Sequence, residues 1–303
     1  MMKTPISAFL DDGTHRIDIA VAGGDMDTPY HFGERQMKGF YSTPSIKTSL
    51  TEAQTRNGAH TLSHGVLFAA RVVTIPFIIN ADNRTELNDL KTALQLFVGK
   101  SDVIFQVNDG SNSTFVTGML SIEYSVDIDE RNTRGEMTLT CQNAERLSAD
   151  EYTTNIGFGS ATTGGGMSFG NDRQGLVFPM NFGESHHTGV QNYTVAKNLG
   201  SYTADVQIAL HGEMPGALFE WQDSEGHYGL LEYDGYISHY QTVLLDSKTE
   251  SATISGSDFS GNLAYRNFPR IPAGGSVRII MLSTVENNEY TGFATVAFRD
   301  TWM

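Results

Sequence analysis

Cysteine is nearly absent from the 303 residues: the single Cys141 excludes an intramolecular disulfide framework and any zinc site built on several thiolates. In GEMTLTCQN it alternates with Met137 and Leu139, so it reads as a buried strand thiol rather than a nucleophile. Basic residues are also few, with 20 Lys and Arg against 35 Asp and Glu and a net charge of −15. That balance excludes a protein that holds nucleic acid by neutralising phosphates, and no sequence-specific nucleic-acid binding is expected. No apolar run approaches the ~20 residues of a membrane span. The opening MMKTPISAFLDDGTHRID has a lone Lys3 and no apolar stretch of useful length before Asp11, so a soluble chain without a signal peptide is expected. Catalytic signatures are missing as well: there is no GxSxG elbow, and Gly164, Gly165 and Gly166 lack the following Lys and Ser/Thr of a phosphate loop.

Glycine is plentiful (31) and proline scarce (8), and Thr, Ser, Val, Ile, Phe and Tyr fill the rest, a composition of strands and tight turns. One segment breaks the period of two. In NRTELNDLKTALQLFVGK, Leu87, Leu90, Leu94 and Phe97 recur on one helical face, Asn83 and Glu86 stand at capping-box spacing, and Gly99 offers a stop. A helix is expected over 84–98. In FVTGMLSIEYSVDI, Val116, Leu120, Ile122, Tyr124, Val126 and Ile128 alternate with polar residues, as in a half-buried antiparallel strand, and 136–142 continues after a hairpin tip at 129–135. Pro76 in VLFAARVVTIPFII marks an edge or a bulge.

From Asp150 the text turns Gly-, Ser- and Thr-rich, so residues 151–174 are expected to link a domain at 1–150 to one at 175–303. In the latter, short strands follow one another at regular spacing between turn signals, the pattern of an all-β sandwich.

No convergent site emerges. His60 and His64 are four apart but lack a helical frame and a partner glutamate, and His186 and His187 would point to opposite faces of an extended segment. No metal or cofactor is expected. Glu232, Asp234 and Asp246 could serve as a glycosidase pair, yet Asp234–Gly235 and Asp246–Ser247 both read as turns. Trp221, Tyr228, Tyr233 and Tyr236, with Tyr240, would form a sugar-stacking platform if this were a carbohydrate-binding module for host attachment; the same residues would otherwise be core or interface. Catalysis is not expected.

The order of these pieces resembles the distal tail protein (Dit) family of long-tailed phages. Residues 56–97, RNGAHTLSHGVLFAARVVTIPFIINADNRTELNDLKTALQLF, are similar to that family's lead-in, Arg-bearing strand, polar break and amphipathic helix. LEYDGYISHYQTVLLDSKTESATISG and NFPRIPAGGSVRIIML resemble its ending, which places Asp246 and Ser247 in a structural turn. The resemblance implies a mainly β chain: an N-terminal tail-tube-like β domain with one α-helix, and a C-terminal galectin-like β-sandwich. It further implies a hexameric ring at the distal end of the virion tail that joins the tail tube protein to the baseplate hub or tail-associated protein and lets DNA pass. A tail fibre or receptor-binding protein is a further implied partner. Residues 23–55 have no counterpart in the resemblance. Their Met26, Tyr30, Phe32, Met37, Phe40 and Tyr41 are expected either to pack on a neighbouring subunit, since so many apolar side chains would otherwise be exposed, or to lie in a loop folded over its own sheet.

Overall fold

Alternating parity along most segments lets one set of side chains meet a dry interior while the other meets water, and the computed structural model shows where those interiors lie. It describes residues 7–20, 27–33, 37–47, 50–52, 59–61, 67–110, 112–125, 129–157, 192–282 and 292–303. Met26, Gly164 to Gly166, His64, His186 and His187 lie outside them.

Two units divide the chain, Met1–Asp150 with Asp300–Met303 and Glu151–Arg299. The first contains β1 (Ser7–Asp11), β2 (Arg16–Ala20), β3 (Tyr30–Phe32), β4 (Ile46–Lys47), β5 (Leu50–Glu52), β6 (Ala59–Thr61), β7 (Leu67–Phe68) and β8 (Arg71–Asn80). Helix α1 (Arg84–Gln95) follows, then β9 (Val103–Asn108), β10 (Ser113–Tyr124), β11 (Asn132–Cys141) and β12 (Arg146–Ser148). The second contains β13 (Tyr152–Gly157), β14 (Tyr193–Lys197), β15 (Ala204–His211), β16 (Ala217–Asp223), β17 (Tyr228–Tyr233) and β18 (Thr242–Asp246). It continues with β19 (Ser251–Ile254), β20 (Ser257–Asp258), β21 (Leu263–Arg266), β22 (Arg270–Ile271), β23 (Ser276–Leu282) and β24 (Phe293–Phe298). The last strand, β25 (Thr301–Trp302), returns to the first unit and pairs with β12.

The first unit closes on itself. Strands run in the order β11-β8-β3-β2-β1-β9-β10, and β10 pairs back onto β11, making a seven-stranded barrel from which β12 and β25 branch. Closure removes the exposed strand edges that invite unwanted pairing. Leu10, Ile19, Ile75, Phe77, Ile79, Phe105 and Leu139 share one core with Leu87, Leu94 and Phe97 of the α1 segment. Pro76 was expected at an edge or a bulge, yet β8 pairs on both sides. Its carbonyl accepts from Gly33 N at 2.8 Å just past the end of β3, so the missing N–H falls where the short neighbouring strand gives out.

The helix stops at Gln95, three residues before the expected end, because the chain tightens into i→i+3 bonds from Leu96, Phe97 and Val98 before Gly99 takes a positive φ of 86°. At its start Asn83 Oδ1 accepts from Glu86 N at 3.0 Å, and Glu86 reaches back to Asp82 N at 2.7 Å. Tyr30 and Tyr124 donate their hydroxyls to the carbonyls of Leu90 and Lys91 at 2.9 and 3.2 Å, and burial pushes both phenols up to about 12.

In the second unit one sheet runs β13-β24-β15-β18-β19-β20, with β22 also on β15, and the other runs β14-β23-β16-β17-β21. Their inner faces share one core, in which Val206, Ile208, Leu210 and Val296 join Phe219, Trp221, Leu231 and Ile279. Residues 152–157, expected to open a linker, form β13 instead: its pairing with β24 in full register, rather than any hydrophobic alternation, makes it a strand.

Candidate interaction surfaces

Arg71 begins β8 and is 1% exposed. Its Nε donates to Ala144 O at 2.7 Å, and its Nη1 to the carbonyls of Gly39, Phe40 and Ser42 at 2.7, 2.9 and 2.7 Å. One nitrogen, Nη1, therefore faces three carbonyls of a single loop while Nε holds a fourth at Ala144, a span over two nitrogens that a point-charge ammonium does not reproduce. Burial draws its pKa below the usual arginine range. The loop also needs glycine at 39: φ is +83°, and a Cβ there would sit 1.9 Å from Val72 O. Arg146 lies over Phe40, Tyr41 and Trp302, with its guanidinium carbon 5.1, 4.8 and 5.9 Å from the ring centroids.

With this pinning the loop lies over its own sheet, the second of the two placements expected, and Tyr30 and Phe40 are not free for a neighbouring subunit. Phe40 and Tyr30 are buried in the barrel's own core, and Phe32 and Met37 pack half-buried against it. Of the described members only Tyr41 stays largely outside, 49% exposed, with its hydroxyl 3.3 Å from Asp109 Oδ2. The apolar side chains that do face outward stand elsewhere. Val72, Thr140 and Met119 lie side by side across β8, β11 and β10, and Val72, Met119 and nearby Val98 are each about half exposed.

The sugar platform expected from Trp221, Tyr228, Tyr233 and Tyr236 does not assemble. Trp221 and Tyr233 point into the sandwich core, where Trp221 Nε1 donates to Asn267 O at 2.7 Å. Tyr228, five residues from Tyr233, has the opposite parity and faces water, and Tyr236 bonds Glu213 from a turn outside the strands. Register shows which residues accompany Tyr228 on the outer face of the five-stranded sheet. One row reads Val195, Arg278, Gln222, Tyr228 across β14, β23, β16 and β17. The next reads Tyr193, Ile280, Glu220, Leu230, and the third Leu282, Leu218, Glu232, Tyr265 across β23, β16, β17 and β21. Tyr193 and Tyr265 were missed because parity alone does not tell which strands are neighbours.

The carboxylates considered as a glycosidase pair have structural surroundings. Asp234 is an exposed turn residue. Asp246 accepts from Lys248 N at 2.7 Å and from Gln207 at 3.1 Å, beside a fully buried Ser247 whose hydroxyl accepts from Val206 N at 2.7 Å. Among the described residues one triad, Asp223, Glu225 and His227, gathers ligand atoms within 4.8 Å at the tip joining β16 and β17. Those atoms are already used: Asp223 Oδ1 accepts from Glu225 N and His227 N at 2.9 and 2.8 Å, and its Oδ2 lies 2.9 Å from His227 Nδ1. The hydrogen bond to Asp223 raises the pKa of His227; burial pushes Asp223 up, but that bond and the two backbone amides bring it below its ordinary value. Cys141 is buried, and desolvation pushes its thiol up to about 11.

No family model matches the chain, and no curated protein matches it. Solved structures do match. The crystal structure of the SPP1 Dit (gp 19.1) protein, described as a paradigm of the hub adsorption apparatus in phages that infect Gram-positive hosts, aligns at a TM-score of 0.59 and 13% identity, covering 90% of this chain and 94% of that one. Chains of the phage P2 baseplate in its activated conformation align at 0.49 with Ca and 0.48 with Sr, each at 11% identity, covering 98% and 96% of this chain and 97% of each partner chain. The chain thus shares the fold of a Dit protein.

Proposed function

We propose, on the fold shared with the SPP1 Dit protein, that this chain is a structural component of a phage tail, placed at the distal end of the virion. The observation that carries the reading is the extent of the likeness: it takes in 90% of this chain and 94% of that protein, so it spans both units rather than one common β module. A barrel with a flanking helix and a sandwich can each serve many functions, but their joint occurrence in one chain is a narrower signal.

In this reading the first unit is the tail-tube-like part and the second the galectin-like part. Six copies close head to tail into a ring that joins the tail tube protein to the baseplate hub or tail-associated protein, a heterologous cyclic arrangement. DNA passes through the ring without being read, which suits a net charge of −15. A fibre or receptor-binding protein is a further partner. The chain acts by assembly, not catalysis; of the carboxylates considered as an acid and base, Glu232 is in β17, Asp234 follows its end, and Asp246 ends β18, where it accepts from Lys248 N.

The test is particle mass by light scattering together with negative-stain images of the purified chain, alone and mixed with the tail tube protein. Sixfold rings with an open channel are expected in at least one of the two samples. Monomers in both would refute the ring.

A further inference from the structure

We infer that the outer face of the five-stranded sheet in the second unit binds neutral saccharides, using Tyr193, Tyr228 and Tyr265 as stacking rings and Glu220, Gln222 and Glu232 as hydrogen-bond acceptors. Each of the three rows on this face contributes one tyrosine and one carboxylate or amide. Tyr228 is 79% exposed, Tyr265 53% and Tyr193 38%, the last with the Arg278 guanidinium 4.9 Å from its ring centroid. Gln222 lies directly across from Tyr228, and Glu232 directly across from Tyr265. With strands ~4.8 Å apart and alternate residues ~7 Å apart, the rows together cover roughly 19 by 14 Å over five strands, room for about three pyranose rings.

The chemistry selects the occupant. A sugar ring offers an apolar C–H face to an aromatic side chain and a rim of hydroxyls to carboxylates and amides, and two of the three rows set such a pair side by side at strand spacing, Gln222 with Tyr228 and Glu232 with Tyr265. A dry protein interface fits poorly, because interface cores are depleted of charge and this face would bury Glu220 in its middle row, with Arg278 and Glu232 in the rows on either side. Its charge is balanced, two carboxylates against Arg278 and the exposed Lys197, within a chain of net charge −15. A neutral ligand is therefore matched, and a polyanion gains nothing there. Trp221 and Tyr233 support the face from the opposite side of the same strands, and Arg278 lies over one side of the Tyr193 ring.

The inference does not rest on the ring. Full-length protein is screened against immobilised neutral hexose and N-acetylhexosamine oligomers, and the strongest binder is titrated by calorimetry. Saturable binding is expected in the micromolar to millimolar range, as for shallow open sites. Tyr228→Ala and Tyr265→Ala each weaken it at least tenfold, Glu220→Gln weakens it several-fold, and Tyr236→Ala, exposed but off the sheet, leaves it unchanged. Tyr228 is too exposed for its loss to unfold the sandwich, so an unchanged circular dichroism spectrum is expected alongside the lost affinity. No binding to any oligomer at 10 mM, or binding indifferent to Tyr228→Ala, overturns the inference while leaving the tail reading intact.

Discussion

At Arg71 a full positive charge is enclosed by backbone, and three of its four acceptors belong to one loop. Truncation to Ala would strand those carbonyls in the interior, and a loss of about 3–5 kcal/mol is expected in urea unfolding, since breaking a buried charged network costs that much. Lys should recover less than half of it, because one ammonium cannot span the same acceptors. The loss should not vary between pH 5 and 9: burial lowers the arginine pKa, but a guanidinium remains charged throughout that range. Cys141, with its thiol pushed up to about 11, should resist thiol reagents at pH 8 in the folded protein and react once denaturant is added. The Asp223 and His227 pair behaves differently with pH. His227 is raised, so its contribution is complete below its unfolded value near 6.5 and fades as pH climbs through the folded value; Asp223 is lowered, so its contribution fades as pH falls from 3.8 through its own folded value. Amide exchange at Glu225 and His227, corrected for intrinsic rates, should show a tip better protected at pH 5.5 than at pH 8.5.

Single elements show how far a sequence pattern reaches. Removing the cap by Asn83→Ala should cost about 1 kcal/mol and fray the first turn of α1, measurable by exchange at Glu86 N, which it caps at 3.0 Å. That cap, the Leu87, Leu94 and Phe97 stripe and the alternation along β10 were legible because each is a local rule acting within one segment. What escaped depends on distant pairing. β13 has no hydrophobic alternation and is a strand only because β24 lies beside it. Phe40 looked like an exposed aromatic in a loop until Arg71, thirty-one residues later, drew that loop onto the barrel. The tyrosine rows were hidden for the same reason: Tyr193 and Tyr265 reach the face of Tyr228 only through the order β14-β23-β16-β17-β21. The β10–β11 hairpin was legible from its tip, but that it closes a barrel was not, because closure depends on the order β11-β8-β3-β2-β1-β9-β10.

Across the whole molecule, the first unit is discontinuous in sequence. Thr301 and Trp302 pair with Leu147 and Arg146, and Asp300 O accepts from Ser148 N at 2.9 Å. Deleting residues 300–303 should therefore destabilise the barrel unit by about 2 kcal/mol, from the lost strand pairing and the lost ring over Arg146, while the sandwich keeps its stability. Hydrogen exchange read separately at β10 and β15 distinguishes the two.

The return of β25 also sets an order of events during synthesis. β12 leaves the ribosome well before its partner, and the entire sandwich must be translated in between, on the order of ten to thirty seconds at ~5–20 residues per second. Through that interval the Arg146 side of the barrel lacks Trp302, so a nascent chain does not present the finished surface. If the barrel unit forms the ring, subunits would be released for assembly only after the second unit has been made, which guards against rings built from chains that lack it.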